Sequence, residues 1–325
     1  MSDPTAPVLI ATFSVALGLF VVAALVRWAR REKEPVLSET EAPQEGGHGG
    51  LPQAPPSSLP PPVPPMYGGP YVAPRAAPVP VPDTRGVPTW PYRKLDFLWM
   101  AGIFVIFAAM SVSNTAVDAD KVSFTPGVLL GSIVFHATLT MITLAVILFR
   151  IGPVSWLGLR WKHWPWVFLI APATVVTMWL VFGGLHALGY MKWMESLGVE
   201  AVQDSVKLLQ TATDPLVLIL MAVAAVLVAP ISEEIVFRGY LYPAAKKFAG
   251  PWMAAICTGL VFAAAHGSLA ALLPLFIFGV VLAVLYEKTG SIWAPVAVHF
   301  CFNGATVGMQ FLVRQFPQLL DQAAK

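Results

Sequence analysis

Charge is what this sequence has least of. Asp, Glu, Lys and Arg make up only 12% of its 325 residues, against about 25% in soluble domains, which excludes an ordinary soluble fold. The formal net charge of +2 is too small for a phosphate-binding surface, so no nucleic-acid partner is expected. Cysteine is nearly absent: Cys257 and Cys301 both lie in apolar runs, read as small core residues and support no disulfide framework. No basic residue precedes the first apolar run, which excludes a secretory signal there. No internal repeat and no His-Glu-x-x-His motif is present. What fills the chain is apolar: 57% hydrophobic residues and a mean hydropathy of +0.69.

Eight apolar stretches fall near 7–26, 96–113, 127–149, 166–188, 215–234, 252–270, 272–286 and 291–313. A bilayer asks for roughly 17–25 residues per helix. The expected fold is therefore an all-α polytopic membrane bundle of about eight transmembrane helices. Arg27, Arg30, Arg31 and Lys33 follow the first stretch, so the N-terminus is expected outside and this cluster inside. Alternating from there puts 15 of the 20 Lys and Arg residues inside and five outside. One miscounted span would destroy that bias.

Three regions follow. Residues 1–33 read as an anchor helix with its basic flank, 34–94 as a disordered proline-rich linker on the cytoplasmic side, and 95–325 as the membrane-embedded body. Within the linker, Leu59–Pro65 favours polyproline II and Gly46–Gly50 adds flexibility. Residues 203–213 are weakly amphipathic and suit an interfacial helix or an ordinary connection. The tryptophan-rich stretch 154–166 reads as an interfacial belt, and His136 and His186 as structural histidines.

Against this apolar background a few ionisable groups stand out. An ionisable side chain at bilayer depth costs about 2.5–3.5 kcal/mol by insertion scales. Yet Glu233, Glu234, Arg238, His266 and His299 all interrupt or border apolar stretches of the last third. In a helix Glu234 and Arg238 are i,i+4 neighbours and can form an ion pair. Glu233 is rotated about 100° away, so one glutamate is neutralised and the other left free to act as a general base on water. Pro230 removes a backbone hydrogen bond just before the pair. Phe262 and His266 share a helix face, and three alanines between them permit close approach. If the chain turns near 249–250, Glu233 and His266 lie equally far from the turn and come level in an antiparallel pair. His299 and Asn303 share a third face, where an amide can donate to a developing oxyanion. Each motif alone also suits helix packing; the three together point to catalysis within the membrane.

In these residues the chain resembles the CAAX prenyl protease 2-like and bacteriocin-processing family, also called the Abi family. The matching motifs are Glu233-Glu234-Ile-Val-Phe-Arg238, Phe262-Ala-Ala-Ala-His266 and His299-Phe-Cys-Phe-Asn303, with a similar turn at 285–292. The likeness covers roughly 215–310. It implies an intramembrane endopeptidase in which Glu233 activates water with His266, His299 and Asn303 hold the oxyanion, and Glu234, Arg238 and Phe262 support them. Members are often classed as metalloproteases. No obligatory cofactor is expected, although Glu233, His266 and His299 would be the ligands if zinc bound. The implied partners are the lipid bilayer and a peptide or membrane-protein substrate, either a prenylated tail or a peptide precursor. The implied setting is a bacterial inner membrane, with linker and active site opening toward the cytoplasm. Two competing functions share these features: a proton-coupled transporter using Glu and His as a relay, and a non-catalytic immunity or scaffold protein.

Overall fold

The computed structural model describes residues 4–31, 86–115, 124–148, 150–199 and 204–316. Most of the proline-rich linker lies outside the described residues. Helices α1 (Thr5–Arg31), α2 (Asp96–Thr115) and α3 (Pro126–Leu148) come first. A short turn of helix, α4 (Pro153–Trp156), precedes α5 (Val167–Ala187), α6 (Tyr190–Ser196) and α7 (Asp204–Thr211). Helix α8 (Pro215–Val223) then runs through a π segment (π1, Ala224–Val228), α9 (Ala229–Glu234), a second π segment (π2, Ile235–Leu241) and α10 (Tyr242–Ala249) without a break. Helices α11 (Pro251–Ala265), α12 (Leu269–Thr289) and α13 (Trp293–Gln315) close the bundle.

Among the described residues, seven helices are long and apolar enough to cross a membrane, where the sequence suggested about eight. The stretch that falls short is the sixth, 252–270, which forms the 15-residue α11, about 22 Å long against a hydrocarbon core of about 30 Å. It stops because His266 and Gly267 leave the helical path, Gly267 at φ +68°. Ser268 then caps α12, accepting from the Ala271 amide at 3.4 Å. The fifth span also differs from expectation. It runs 35 residues, Pro215–Ala249, so Glu233 and Glu234 sit in mid-helix and not at its end. Two π segments absorb the prolines and glycine that would break a straight α-helix.

The core gathers around α11 and α12. Gly259 and Gly279 meet where these helices cross: a Cβ on Gly279 would stand 3.1 Å from the Gly259 Cα. Helix α1 is part of this packing. Leu9, Phe13, Ala16 and Phe20 form one buried ridge at helical spacing and share the main core cluster with α11 residues. The ends of α2 and α3 are clamped by a two-pronged Arg150–Asp96 ion pair, with contacts of 2.7 and 2.6 Å; the Asp96 bond raises the Arg150 guanidinium above its ordinary range.

Residues 86–94, placed by composition in the linker, lie against one end of the bundle. Val87 and Tyr92 are buried. The Val87 amide donates to Glu287, Lys246 donates to the Val87 carbonyl, and Lys247 donates to the Tyr92 carbonyl. Lys246 also pairs with Glu287 at 2.6 Å. Arg150 reaches the Pro91 carbonyl at 3.0 Å, and Arg27 lies against Gly250. Arg27, Arg150, Lys246 and Lys247 therefore gather at one end of the bundle.

Candidate active site

Helix α9 carries the two glutamates, and their one-residue offset sends them to different neighbours. Glu234 is fully buried. Its Oε1 accepts from Arg238 Nη1 at 2.9 Å and from His299 Nδ1 at 2.8 Å. The i,i+4 pairing expected from sequence is present, but Glu234 also reaches across to α13. Arg238 is buried as well, and its second nitrogen donates to the Gly279 carbonyl of α12 at 2.9 Å. One buried anion thus joins three helices, and its paired charges offset part of the desolvation cost.

Glu233 has no such partner. Its Oε2 is buried without a hydrogen bond among the described residues. It stands 4.0 Å from His266 Nε2 and 4.0 Å from His299 Nε2. The ring orientations follow from the other nitrogens. His266 Nδ1 lies 2.7 Å from the Phe262 carbonyl, which can only accept, so this nitrogen donates. His299 Nδ1 donates to the Glu234 carboxylate. In the neutral imidazoles both Nε2 atoms are therefore lone-pair acceptors facing Glu233 Oε2.

Phe262 explains its place in the second motif. Its ring lies 4.8 Å from the His266 ring and 5.9 Å from the His299 ring. Arg238 Cζ sits 4.7 Å from its centroid, a cation–π contact shielded from water. The equal-depth expectation for Glu233 and His266 also agrees with the geometry, because α10 ends at Ala249 and the chain turns at Gly250, φ +87°.

Asn303 does not join this group by any contact among the described residues. Its Nδ2 donates to the Ala225 carbonyl at 2.8 Å. In π1 the Ala229 amide bonds back five residues to Ala224. The next such bond would come from residue 230 to Ala225, but Pro230 has no N–H. Asn303 supplies the missing donor. Sequence reading also missed Phe278, packed 5.3 Å from the His299 ring, and the Gly279 carbonyl. The pair of glycines in facing apolar runs was the available signal for that close crossing.

Zinc is a poor fit as the residues stand. The donor types suit it, and Nδ1 partners of this kind orient zinc-binding histidines. However, ligands about 2.0–2.1 Å from a tetrahedral ion stand only about 3.3 Å apart, shorter than both 4.0 Å separations. Among the described residues no group of three or more His, Cys, Asp or Glu side chains is arranged closely enough to hold a metal ion.

A cavity of about 480 Å³ lies between α5, π1, α9 and α13, and neither glutamate nor either histidine lines it. Pro230, Ile231, Val296, Ala297 and Phe300 line it together with Trp161, Trp164 and Trp293. Its lining is apolar.

Residues 215–305 match the family model described as "Type II CAAX prenyl endopeptidase Rce1-like". The chain is 33% identical over 91 residues to a Bacillus subtilis (strain 168) protein named "Putative membrane peptidase YdiL", covering 28% of this chain and 37% of that one. It is 30% identical over 185 residues to an Escherichia coli protein named "Uncharacterized 24.3 kDa protein", covering 54% of this chain and 78% of that one. The chain thus spans little more than a third of the first relative's length and more than three quarters of the second's. No solved structure matches. With its seven apolar helices and its three motifs inside the matched segment, this integral membrane protein belongs to the family of type II CAAX prenyl endopeptidase Rce1-like proteins.

Proposed function

We propose that this chain is a membrane-embedded endopeptidase in which Glu233 activates the hydrolytic water. The observation that carries the reading is the convergence of three polar atoms, Glu233 Oε2 and the two histidine Nε2 atoms, with contacts of 4.0 Å. A water about 2.8 Å from two of them donates one hydrogen to Glu233 and the other to His266. Its oxygen lone pair is left for the scissile carbonyl carbon. As the C–O bond forms, Glu233 takes the water proton. The carbonyl oxygen becomes an oxyanion facing His299, which donates to it only when its Nε2 carries a proton, the charge then balanced by Glu234. Collapse of the tetrahedral intermediate breaks the C–N bond, and Glu233 returns its proton to the leaving amine. Glu234 and Arg238 act through His299, and Asn303 acts by holding π1. No step runs through a metal.

The substrate is a peptide with an apolar segment beside the scissile bond, seated in the cavity next to Pro230 and Phe300. A prenylated tail and a hydrophobic peptide precursor both meet this description. The basic end of the bundle faces the cytoplasm of a bacterial inner membrane by the positive-inside rule, so the N-terminus lies outside.

Purified protein in detergent, given a panel of prenylated and unprenylated peptides, tests the reading. Cleavage is expected, with Glu233→Gln at least about 10³-fold slower, since a neutral amide cannot take the proton. Added chelator leaves the rate unchanged. Cleavage retained by Glu233→Gln removes this residue from the chemistry, and metal-restored activity after chelation replaces the mechanism.

A further inference from the structure

The far end of the glutamate-bearing helix has a second carbonyl stranded by a proline. The last bond of π2 runs five residues back, from the Tyr242 amide to Phe237; where the helix returns to α spacing in α10, the Gly239 carbonyl would accept from residue 243, but Pro243 has no N–H. Two side chains from outside the helix take its place. Tyr92 donates its hydroxyl to Gly239 O at 2.6 Å, and Trp156 Nε1 donates to the same oxygen at 2.9 Å and to the Tyr92 hydroxyl at 2.8 Å. All three residues are buried, and burial holds the Tyr92 hydroxyl protonated far above its ordinary range. The approach is built for contact: a Cβ on Gly239 would stand 2.8 Å from Leu157 Cδ2.

The same short segment holds the helix that bears His299. The Leu157 carbonyl accepts from the Ile292 amide at 2.9 Å, the Leu159 carbonyl from Trp293 Nε1 at 3.1 Å, and the Trp156 carbonyl from the Tyr286 hydroxyl at 3.3 Å. Gly158, at φ +62°, passes so close to the Gly290 carbonyl that a Cβ would stand 1.8 Å from it. Residues 156–159 thus touch π2, the end of α12 and the start of α13, the elements whose mutual rotation sets Glu233 against His299.

We propose that Tyr92 and Trp156 are positioning residues of the hydrolytic site, capping the Gly239 carbonyl so that π2 ends in one register. A π segment is a helix holding an extra residue per turn, and it can migrate along the helix. Each residue that the segment passes turns by about 100°, so migration by two residues toward α9 would pass Glu234 and Glu233 and carry them away from both histidines. The double cap removes that freedom. Neither residue touches the reacting atoms, and both lie outside the family-matched segment 215–305.

This inference rests on the peptidase reading, so the test has one arm that needs no activity. Tyr92→Phe, Trp156→Phe and the double variant keep an aromatic ring at each place while removing donors. Each single variant leaves one donor in place and is expected to lose under about threefold in kcat. The double variant is expected to lose at least about 10-fold in kcat with KM unchanged. Adding Pro243→Ala to the double variant gives residue 243 an N–H for Gly239 O and restores roughly half or more of the lost rate. In parallel, amide hydrogen exchange across 235–244 rises in the single variants and further in the double variant. A double variant within about twofold of wild-type kcat overturns the proposal, as does a loss that Pro243→Ala leaves uncorrected. If the double variant does not fold, the single variants decide: unchanged exchange across 235–244 overturns the proposal. If wild-type protein cleaves nothing, the peptidase reading fails, and the exchange arm still reports whether the cap holds π2.

Discussion

The two histidines that face Glu233 are equally distant from it and otherwise unlike. His266 caps the 15-residue α11, its side chain 30% exposed, and among the described residues its Nδ1 bonds only to a carbonyl of its own helix. His299 lies within the 23-residue α13 with a side chain 3% exposed, and its Nδ1 is bonded to Glu234, which is bonded to Arg238. One ring stands at a helix end where water and substrate can reach it. The other is fixed in a buried charge network. Under the proposed mechanism the difference divides their work: the exposed ring can share a water and let product leave, whereas the ring beside a buried carboxylate is the one suited to carry positive charge at the oxyanion.

Removing the anchored ring is the larger disturbance. His299→Ala is expected to lower kcat by at least about 10³-fold. It also empties buried volume and leaves Glu234 short of a donor, with an expected loss of about 2–4 kcal/mol of stability. Thermal unfolding in detergent, run beside the cleavage assay, reads both effects. His266→Ala is expected to cost about 10²-fold in kcat with little change in unfolding temperature, because its bond stays within α11 and its ring is partly exposed. If the two variants lose equal stability, the contrast between an anchored and an open histidine is wrong.

Much of this contrast was legible in the sequence, and the part that was not has a common cause. Periodicity within one helix placed Glu234 on Arg238, set Phe262 beneath His266 and separated Glu233 from both. Equal chain distances from Gly250 brought Glu233 level with His266. Each inference used one helix or one turn. What stayed hidden were bonds between helices distant in sequence: Glu234 to His299, Arg238 to the Gly279 carbonyl, and Asn303 to Ala225. Hydropathy misjudged α11 because an apolar window does not notice His266 and Gly267 ending the helix. It missed the junction at Glu233 as well, since a drop in hydropathy looks the same whether a helix stops or continues through a π segment. Composition assigned 86–94 to the linker, although Val87 and Tyr92 pack against the bundle.

Asn303 gives the smallest expected effect and the cleanest separation of two roles. The family resemblance makes it an oxyanion donor, whereas its observed bond makes it the stand-in for the N–H that Pro230 lacks. Asn303→Ala is expected to lower kcat about 10-fold under either role, so the single variant decides nothing. The pair Asn303→Ala/Pro230→Ala does decide. Residue 230 then carries an N–H able to bond the Ala225 carbonyl in the π register, and π1 is satisfied from within its own helix. Recovery of kcat to within about threefold of the Pro230→Ala enzyme shows that the amide works by holding π1. No recovery returns Asn303 to the oxyanion, because a backbone bond at Ala225 cannot replace a donor to the substrate. On the observed geometry recovery is expected, which would leave His299 as the oxyanion's donor and Asn303 as the counterpart, at the Pro230 end, of the Tyr92–Trp156 cap at the Pro243 end.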